Sequence, residues 1–201
     1  MNYGLRITTE PATEPIATAE AKQHLLIASA VTAHDTFIAS LVTAARKYVE
    51  DMLNRSLITT VWELTLDRFP YSAVEFPLPR SPIQSIGSIT YVDGNGDSQT
   101  WASSNYTLSR YREPARLSLA YSKMWPEVRF QPNAVTVTFT AGYGDADDVP
   151  QPIKQAILLL IGHWFEHRSE VDAGTLKQIP MAVESLLNAY RVGDEFTCYA
   201  E

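Results

Sequence analysis

The fold class is most clearly indicated by residues 37–70, FIASLVTAARKYVEDMLNRSLITTVWELTLDRFP. The spacing of the apolar residues changes halfway along this stretch. In its first half the apolar residues stand three or four apart, as on one face of a helix. In its second half they alternate with polar residues, as in a half-buried strand. The stretch therefore predicts a helix over 33–54 and a long strand over 58–67.

The sequence after this strand keeps the pattern of short strands separated by turns. Runs rich in β-branched and aromatic residues are divided by proline and glycine, and Asp93-Gly94-Asn95-Gly96 predicts a tight antiparallel hairpin. Strands are expected at 74–78, 83–91, 97–101, 106–109, 116–120 and 134–140. Residues 57–142 are therefore interpreted as one antiparallel β insertion.

Amphipathic helices flank the insertion on both sides. A short helix is expected over 18–26, with Thr18 as its N-cap, and longer apolar faces predict helices over 151–168 and from about Pro180. The predicted fold class is α+β, with a helical core from the N- and C-terminal helices and an inserted antiparallel β region. The expected divisions are an extended N-terminal arm 1–17, a first helical part 18–56, the β insertion 57–142, a second helical part 143–191 and a C-terminal tail 192–201.

Length and composition exclude several classes of protein. The chain has 201 residues, a formal net charge of −7 and a single cysteine, Cys198. The acidic balance disfavours a protein that grips nucleic acid by neutralising phosphates. One cysteine excludes an intramolecular disulfide. No stretch has the ~20 apolar residues of a membrane span, and MNYGLRITTE lacks the apolar core of a signal peptide. The chain is expected to be made in a reducing cytoplasm, with no membrane partner.

One motif suggests an enzyme. His163, Glu166 and His167 form an H-x-x-E-H sequence, in which two histidines on one helix face could bind zinc and the glutamate could act as a general base. Glu184 could supply a third ligand. Trp164 belongs to the apolar face of the same helix, however, and no second lobe is available to form a substrate cleft. An ordinary helix is the favoured interpretation, and no catalytic residue, metal ligand or cofactor is assigned.

Two acidic sequences resemble cation-binding loops only in part. Asp93, Asn95 and Asp97 have the spacing of the first EF-hand ligands, but the glycine and glutamate required further along are missing. A hairpin turn is therefore favoured. Asp145, Asp147 and Asp148 precede a predicted helix, where acidic residues suit the positive end of the helix dipole.

The aromatic residues of the β region allow a nucleic-acid-binding alternative. Bases can stack on exposed aromatic side chains of a sheet. The candidates are Trp62, Trp101, Trp125, Tyr91, Tyr106 and Tyr121. A basic groove normally accompanies such residues, but Glu113 and Glu127 interrupt the arginines of this region. Packing inside the β region is therefore the favoured interpretation.

Without a catalytic constellation, the chain favours a structural or assembly role. Its C-terminal tail carries Phe196 and Tyr199 beyond the last predicted helix, where an isolated subunit has no evident way to bury them. Apolar residues on a terminal segment are commonly reserved for a partner.

Several stretches, taken in order, resemble the head–tail connector, or adaptor, proteins of tailed bacteriophages and of phage-derived gene transfer agents. They are ITTEPATEPIATAEAKQHL (7–25), the 37–70 stretch, LPRSPIQSIGSITYVDGNG (78–96), AVTVTFTAGYGDADDVPQPIKQAILLLIGHWFEHR (134–168) and the last helix with its Tyr190-Arg191 end. Together they cover most of the chain, and residues 97–133 match less distinctly.

The resemblance implies a non-enzymatic protein of the neck of a virion or phage-like particle. Such adaptors form a ring, usually of twelve subunits, below the portal protein of the capsid. The ring extends the channel that DNA passes through without sequence-specific binding, and it receives a stopper or tail-completion protein. By the position of the docking segment in that family, Phe196, Thr197, Cys198 and Tyr199 would bind the portal. The zinc metallopeptidase and the nucleic-acid-binding module remain as alternatives.

Overall fold

The computed structural model describes residues 3–71, 73–167 and 181–193, and these divide into two compact units. The β unit contains residues 3–11, 54–71, 73–143 and 192–193, and the helical unit contains residues 12–53, 144–167 and 181–191. The α+β class, with all paired strands of the described residues antiparallel, is confirmed.

Eight strands and four helices make up these units. The strands are β1 (Tyr3–Thr9), β2 (Thr60–Leu66), β3 (Glu75–Pro77), β4 (Ile83–Val92), β5 (Ser98–Thr100), β6 (Tyr106–Ser109), β7 (Arg116–Leu119) and β8 (Val135–Ala141). The helices are α1 (Thr18–His24), α2 (Asp35–Leu53), α3 (Gln151–Glu166) and α4 (Met181–Leu187). Short 3-10 turns lie at 103–105, 146–148 and 188–190.

The β unit is built on a five-stranded sheet with the strand order β1-β2-β8-β4-β5. Strands β2 and β8 pair along their full length, so that Trp62 lies opposite Phe139 and Leu64 opposite Val137. These four side chains are buried on one face of the sheet. Because apolar and polar residues alternate strictly in both strands, this register places the apolar side chains of β2 and β8 together on the core face of the sheet.

Strand β4 brings three isoleucines to the core face, Ile83 and Ile89 buried and Ile86 half-buried, although an uninterrupted strand would place Ile86 on the opposite face from the other two. Ile83, Ile86 and Ile89 are three residues apart, whereas residues on one face of a strand are two apart. Register shifts between Ile83 and Ser85 and between Ile86 and Ser88 insert one extra residue each time. The three isoleucines consequently lie opposite Ala141, Phe139 and Val137, all on the core face of β8.

A second, three-stranded sheet, in the order β3-β7-β6, completes the β unit. Its apolar side chains meet a cluster of rings. Phe69 stacks on Trp125 with centroids 5.0 Å apart, and Trp101 lies 5.2 Å from Trp125. Phe76 packs against the same indole at 5.7 Å. These four rings are buried together between loops and strands, which confirms the packing interpretation for Trp101 and Trp125.

The helical unit packs α2 against α3, with α1 and α4 alongside. Helix α2 buries Ile38, Val42, Ala45, Val49 and Leu53, and α3 buries Ile153, Ala156, Ile157, Leu160 and Ile161. The three- and four-residue spacings of the sequence thus correspond to real buried faces. No helix among the described residues is long and apolar enough to span a membrane.

A buried ion network joins α2 to the segment before α1. The Arg46 side chain is only 3% exposed; its Nε lies 2.7 Å from Glu14 and its Nη1 lies 2.7 Å from Glu50. Burial alone would lower the pKa of Arg46, but the charges of both carboxylates and their hydrogen bonds outweigh it and raise this pKa.

The structure differs from the sequence predictions at two places near the N-terminus. Residues 3–9, expected within an extended arm, are extended but form the edge strand β1, paired with β2 from Tyr3 opposite Leu66 onward. Thr18 is not the N-cap of α1, because Ala17 occupies that position and supplies no side-chain hydrogen bond. An alanine cap leaves the first amides of the helix without a side-chain acceptor at that position.

Gly142 closes the central sheet and should tolerate no side chain. Its φ is +125°, and a Cβ there would lie 2.4 Å from the carbonyl oxygen of Ile58. We expect Gly142→Ala to lower the free energy of unfolding by about 2–3 kcal/mol. Gly94→Ala is the control, since nothing lies within 4 Å of its Cβ position. Urea unfolding followed by tryptophan fluorescence measures the stability of both variants. Equal stabilities would contradict the claim that there is no room for a side chain at Gly142.

Arg46→Ala should destabilise the helical unit by about 3–5 kcal/mol, because it removes the Arg46 guanidinium from the buried Glu50 carboxylate. Glu14→Gln should cost much less, since the Glu14 side chain is 31% exposed and its amide can still accept a hydrogen bond. Thermal unfolding by circular dichroism compares the two. A loss for Glu14→Gln as large as that for Arg46→Ala would show that the network does not depend on burial.

Candidate functional site

The H-x-x-E-H residues lie at the end of α3 and in the residue after it. The rings of His163 and His167 are close, with centroids 4.7 Å apart. The Nδ1 of His167 donates a hydrogen bond to the carbonyl oxygen of His163 at 2.8 Å, which helps to cap the helix end. Glu166 and Glu184 are exposed. In the described part of the chain, no three His, Cys, Asp or Glu side chains are grouped to hold a metal ion.

The acidic hairpin is a turn held by its own carboxylate. Asp93 Oδ1 accepts hydrogen bonds from the backbone amides of Asn95, Gly96 and Asp97 at 2.9–3.1 Å. Its Oδ2 accepts one from the Gln99 side chain at 3.0 Å, and together these donors lower the pKa of Asp93, Gln99 most of all. Both carboxylate oxygens thus bond to the turn and to the strand after it, which is the predicted hairpin.

The second acidic segment also satisfies its own backbone. Asp145 and Asp148 form a reciprocal capping box, in which the Asp148 carboxylate accepts from the Asp145 amide at 3.0 Å. Asp147 is fully exposed and lies 4.0 Å from Lys154. The segment is therefore an acidic turn in front of α3, as predicted.

The aromatic residues proposed for base stacking are mostly enclosed. Trp62, Trp101 and Trp125 are each less than a tenth exposed. Arg80 covers the Trp62 ring at 5.0 Å from its centroid. Of the six candidates only Tyr121 is fully exposed, and one ring does not make a stacking platform.

Two loops of the β unit lie against each other and are joined by hydrogen bonds. The Tyr71 hydroxyl donates to the carbonyl of Pro126 at 3.0 Å, and the Trp125 indole donates to the carbonyl of Ala73 at 2.8 Å. Since Trp125 is itself stacked on Phe69, the pair of loops is fixed to the core.

These joined loops display large apolar side chains to solvent. Tyr71 is 55% exposed, Val74 71%, Tyr121 98% and Met124 84%. We call these four residues the apolar loop surface. Exposed apolar side chains on a fixed backbone are common at interaction sites, because their contact with water does not stabilise the isolated subunit. Sequence reasoning missed this surface; the signal was apolar residues in segments without helix or strand periodicity.

A third loop carries another exposed ring. Tyr111 is fully exposed between β6 and β7. The loop is anchored by a two-pronged ion pair between Arg55 and Glu113 and by a hydrogen bond from Arg110 to the carbonyl of Gln84 at 3.0 Å. Hydrogen bonds from Arg55 lower the pKa of Glu113, so the pair is ionised at neutral pH.

The formal charge is unevenly shared between the units. The described residues of the helical unit include 5 Lys or Arg and 10 Asp or Glu, whereas those of the β unit include 9 and 8. The whole acidic excess of the described residues therefore belongs to the helical unit, since the β unit has one more basic than acidic residue.

The residues proposed for portal binding, Phe196, Thr197, Cys198 and Tyr199, lie outside the described residues. Their role remains a prediction from the position of the tail.

Comparison with known proteins gives a consistent match. A family model described as "Head completion protein" matches residues 16–192. Comparison with curated proteins found no match.

Three solved structures share the fold along nearly the whole chain. A chain of the neck of an empty GTA particle, computed with C6 symmetry, has a TM-score of 0.80 at 23% identity, over 95% of this chain and 96% of that chain. A chain of the virion of a native gene transfer agent (GTA) particle has a TM-score of 0.78 at 24% identity, over 94% and 96%. A chain of the neck of a native GTA particle, computed with C12 symmetry, has a TM-score of 0.77 at 23% identity, over 95% and 96%.

The structural likeness agrees with the family model, which alone covers more than four fifths of the sequence. The chain belongs to the head completion protein family.

Proposed function

We propose that this protein is a head–tail adaptor that forms a ring between the capsid portal and the tail and extends the DNA channel. The observation that carries the proposal is the match to the head completion family together with a fold shared with chains from C6- and C12-symmetric particle necks. The role is structural rather than enzymatic, and it locates the protein in the neck of a virion or phage-like particle.

The distribution of charge supports a channel that DNA passes without sticking. A wall that neutralised phosphates would hold DNA and slow its passage. The helical unit carries five more acidic than basic residues in its described part, so its field opposes such binding. The helical unit is therefore the better suited of the two to face the DNA.

Apolar residues in two parts of the sequence support two docking surfaces. The C-terminal tail, with Phe196 and Tyr199, is proposed to bind the portal. The apolar loop surface is proposed to bind the stopper or tail-completion protein. Its side chains are exposed on a backbone fixed by hydrogen bonds, so that little conformational entropy is lost on binding.

Removal of residues 194–201 should abolish binding to the portal protein while the subunit stays folded. The truncation ends after Gly193 because Val192 is buried and belongs to the β unit. Co-purification with the portal and a thermal unfolding curve give the two readouts. Full portal binding by the truncated chain would show that the tail is not the docking segment.

Point variants of the tail separate its apolar residues from its charge. Phe196→Ala with Tyr199→Ala should weaken portal binding at least tenfold, and Asp194→Ala with Glu195→Ala, the matched control, should change it less than about threefold. The opposite order would mean that the tail acts through charge.

Tyr121→Ser with Met124→Ser should weaken binding of the stopper or tail-completion protein at least tenfold and leave portal binding unchanged. Tyr111→Ser is the control, since it removes an equally exposed ring from a different loop. Titration calorimetry with each partner measures the effect. Unchanged stopper affinity in the double variant would overturn the role of the apolar loop surface.

A further inference from the structure

Helix α1 ends in a backbone arrangement that normally requires glycine. The Leu26 amide donates to the carbonyl of Gln23 at 3.1 Å, and the Ile27 amide donates to the carbonyl of Lys22 at 2.9 Å. These two bonds form a Schellman motif, whose C′ residue adopts the left-handed conformation. That residue here is Leu26, with φ at +56°. A leucine pays a steric cost in this conformation that glycine does not.

The same leucine is 94% exposed to solvent. In the isolated subunit the Leu26 side chain is therefore not buried, and its backbone conformation is unfavourable for leucine. Strained residues persist where the surroundings hold them in place and commonly mark functional positions.

The loop that carries Leu26 is fixed by a buried lysine. Lys22 Nζ donates to the carbonyl of Ser29 at 3.1 Å and to that of Val31 at 2.8 Å, and it lies 2.8 Å from Asp35 Oδ1. The Lys22 side chain is only 7% exposed. The loop after α1 thus holds Leu26 out as a defined projection.

An apolar cleft lies at the other end of α1, in the same helical unit. Its volume is about 480 Å³, and its lining is mainly apolar, with Ile16 and Val42 buried and Ala17 and Ala39 exposed. The cleft is open to solvent and has room for a leucine side chain. At one rim the Thr43 hydroxyl donates to Glu14 at 2.8 Å, and Glu14 is held in turn by Arg46, so this rim is fixed.

We propose that Leu26 of one copy inserts into the Ile16–Val42 cleft of the next copy in the ring. This inference rests on the proposed ring. The projection and the cleft are different patches of one unit, at opposite ends of a helix only about 10 Å long. A contact between different patches is heterologous, and repetition of it closes a ring when the rotation allows. A second copy is the occupant because the proposed ring, supported by a fold shared with chains from C6- and C12-symmetric necks, sets equivalent copies side by side.

The first test replaces the leucine by the residue that its backbone favours. Leu26→Gly should leave the thermal stability of the subunit unchanged or higher, yet reduce ring assembly on the portal at least tenfold. Ser122→Gly is the matched control, because Ser122 is also exposed with a positive φ of 59° but carries no apolar group. It should assemble normally. A Leu26→Gly chain that forms rings like the natural protein would overturn the proposal.

The second test identifies the occupant by disulfide cross-linking. Leu26→Cys and Ala39→Cys are combined in a Cys198→Ser background and oxidised after mixing with the portal. The heterologous contact predicts a ladder of covalent multimers on a denaturing gel, whereas each single-cysteine chain should give dimers at most.

Three results, from cross-linking and from electron microscopy, would count against the proposal. Rings visible by electron microscopy without a ladder would refute the Leu26 contact and leave the adaptor function intact. Cross-links from Leu26→Cys to a cysteine of the portal would identify a different occupant. Absence of rings in the natural protein with its portal would refute the proposed function and this inference together.

Discussion

The antiparallel pairing of β2 with β8 holds the two ends of the β region together, and the arrangement of the other elements follows from it. The two strands are about 70 residues apart in sequence, yet they pair from Thr60 opposite Ala141 to Leu66 opposite Val135. At the open end of this pair the Tyr143 amide donates to the carbonyl of Leu57 at 3.1 Å. The entry and exit of the β region are thereby held side by side, so that α2 and α3, which precede and follow it, can form one helical unit. Gly142 is needed at this point because the two backbones approach too closely for any Cβ.

From this scaffold the molecule displays apolar groups on fixed backbone. The apolar loop surface is held by Trp125 and Tyr71, the Tyr111 loop by Arg55 and Glu113, and the Leu26 projection by Lys22. In each case a buried or hydrogen-bonded anchor stands within a few residues of an exposed apolar side chain. This arrangement suits a subunit that completes its surface by assembly, because little conformational freedom is lost when partners bind. The proposed ring adaptor gives the apolar loop surface and the Leu26 projection one occupant each.

Regular periodicity explains how much of the fold could be predicted. Helix α2, strands β2 and β8 and the Asp93 hairpin each carry a pattern or turn signal within one short stretch, and the structure has all of them. The edge pairing of β1 was not predictable, because its partner lies some 60 residues away and nothing local in residues 3–9 specifies it. The bulges of β4 were also missed, although the three-residue spacing of Ile83, Ile86 and Ile89 is a visible sign of them.

The candidate surfaces were hardest to predict, since exposed apolar residues in loops follow no period. Only the Phe196–Tyr199 tail was recognised as a candidate surface, and it remains untested.

Electron microscopy of the natural protein mixed with its portal can show directly whether the protein is a ring adaptor. We expect a closed ring of this chain, in register with the portal, on the portal's narrow end. The helical units should surround the channel, and the tails should reach the portal. Portal particles without added density, or single subunits bound at scattered positions, would contradict a ring adaptor.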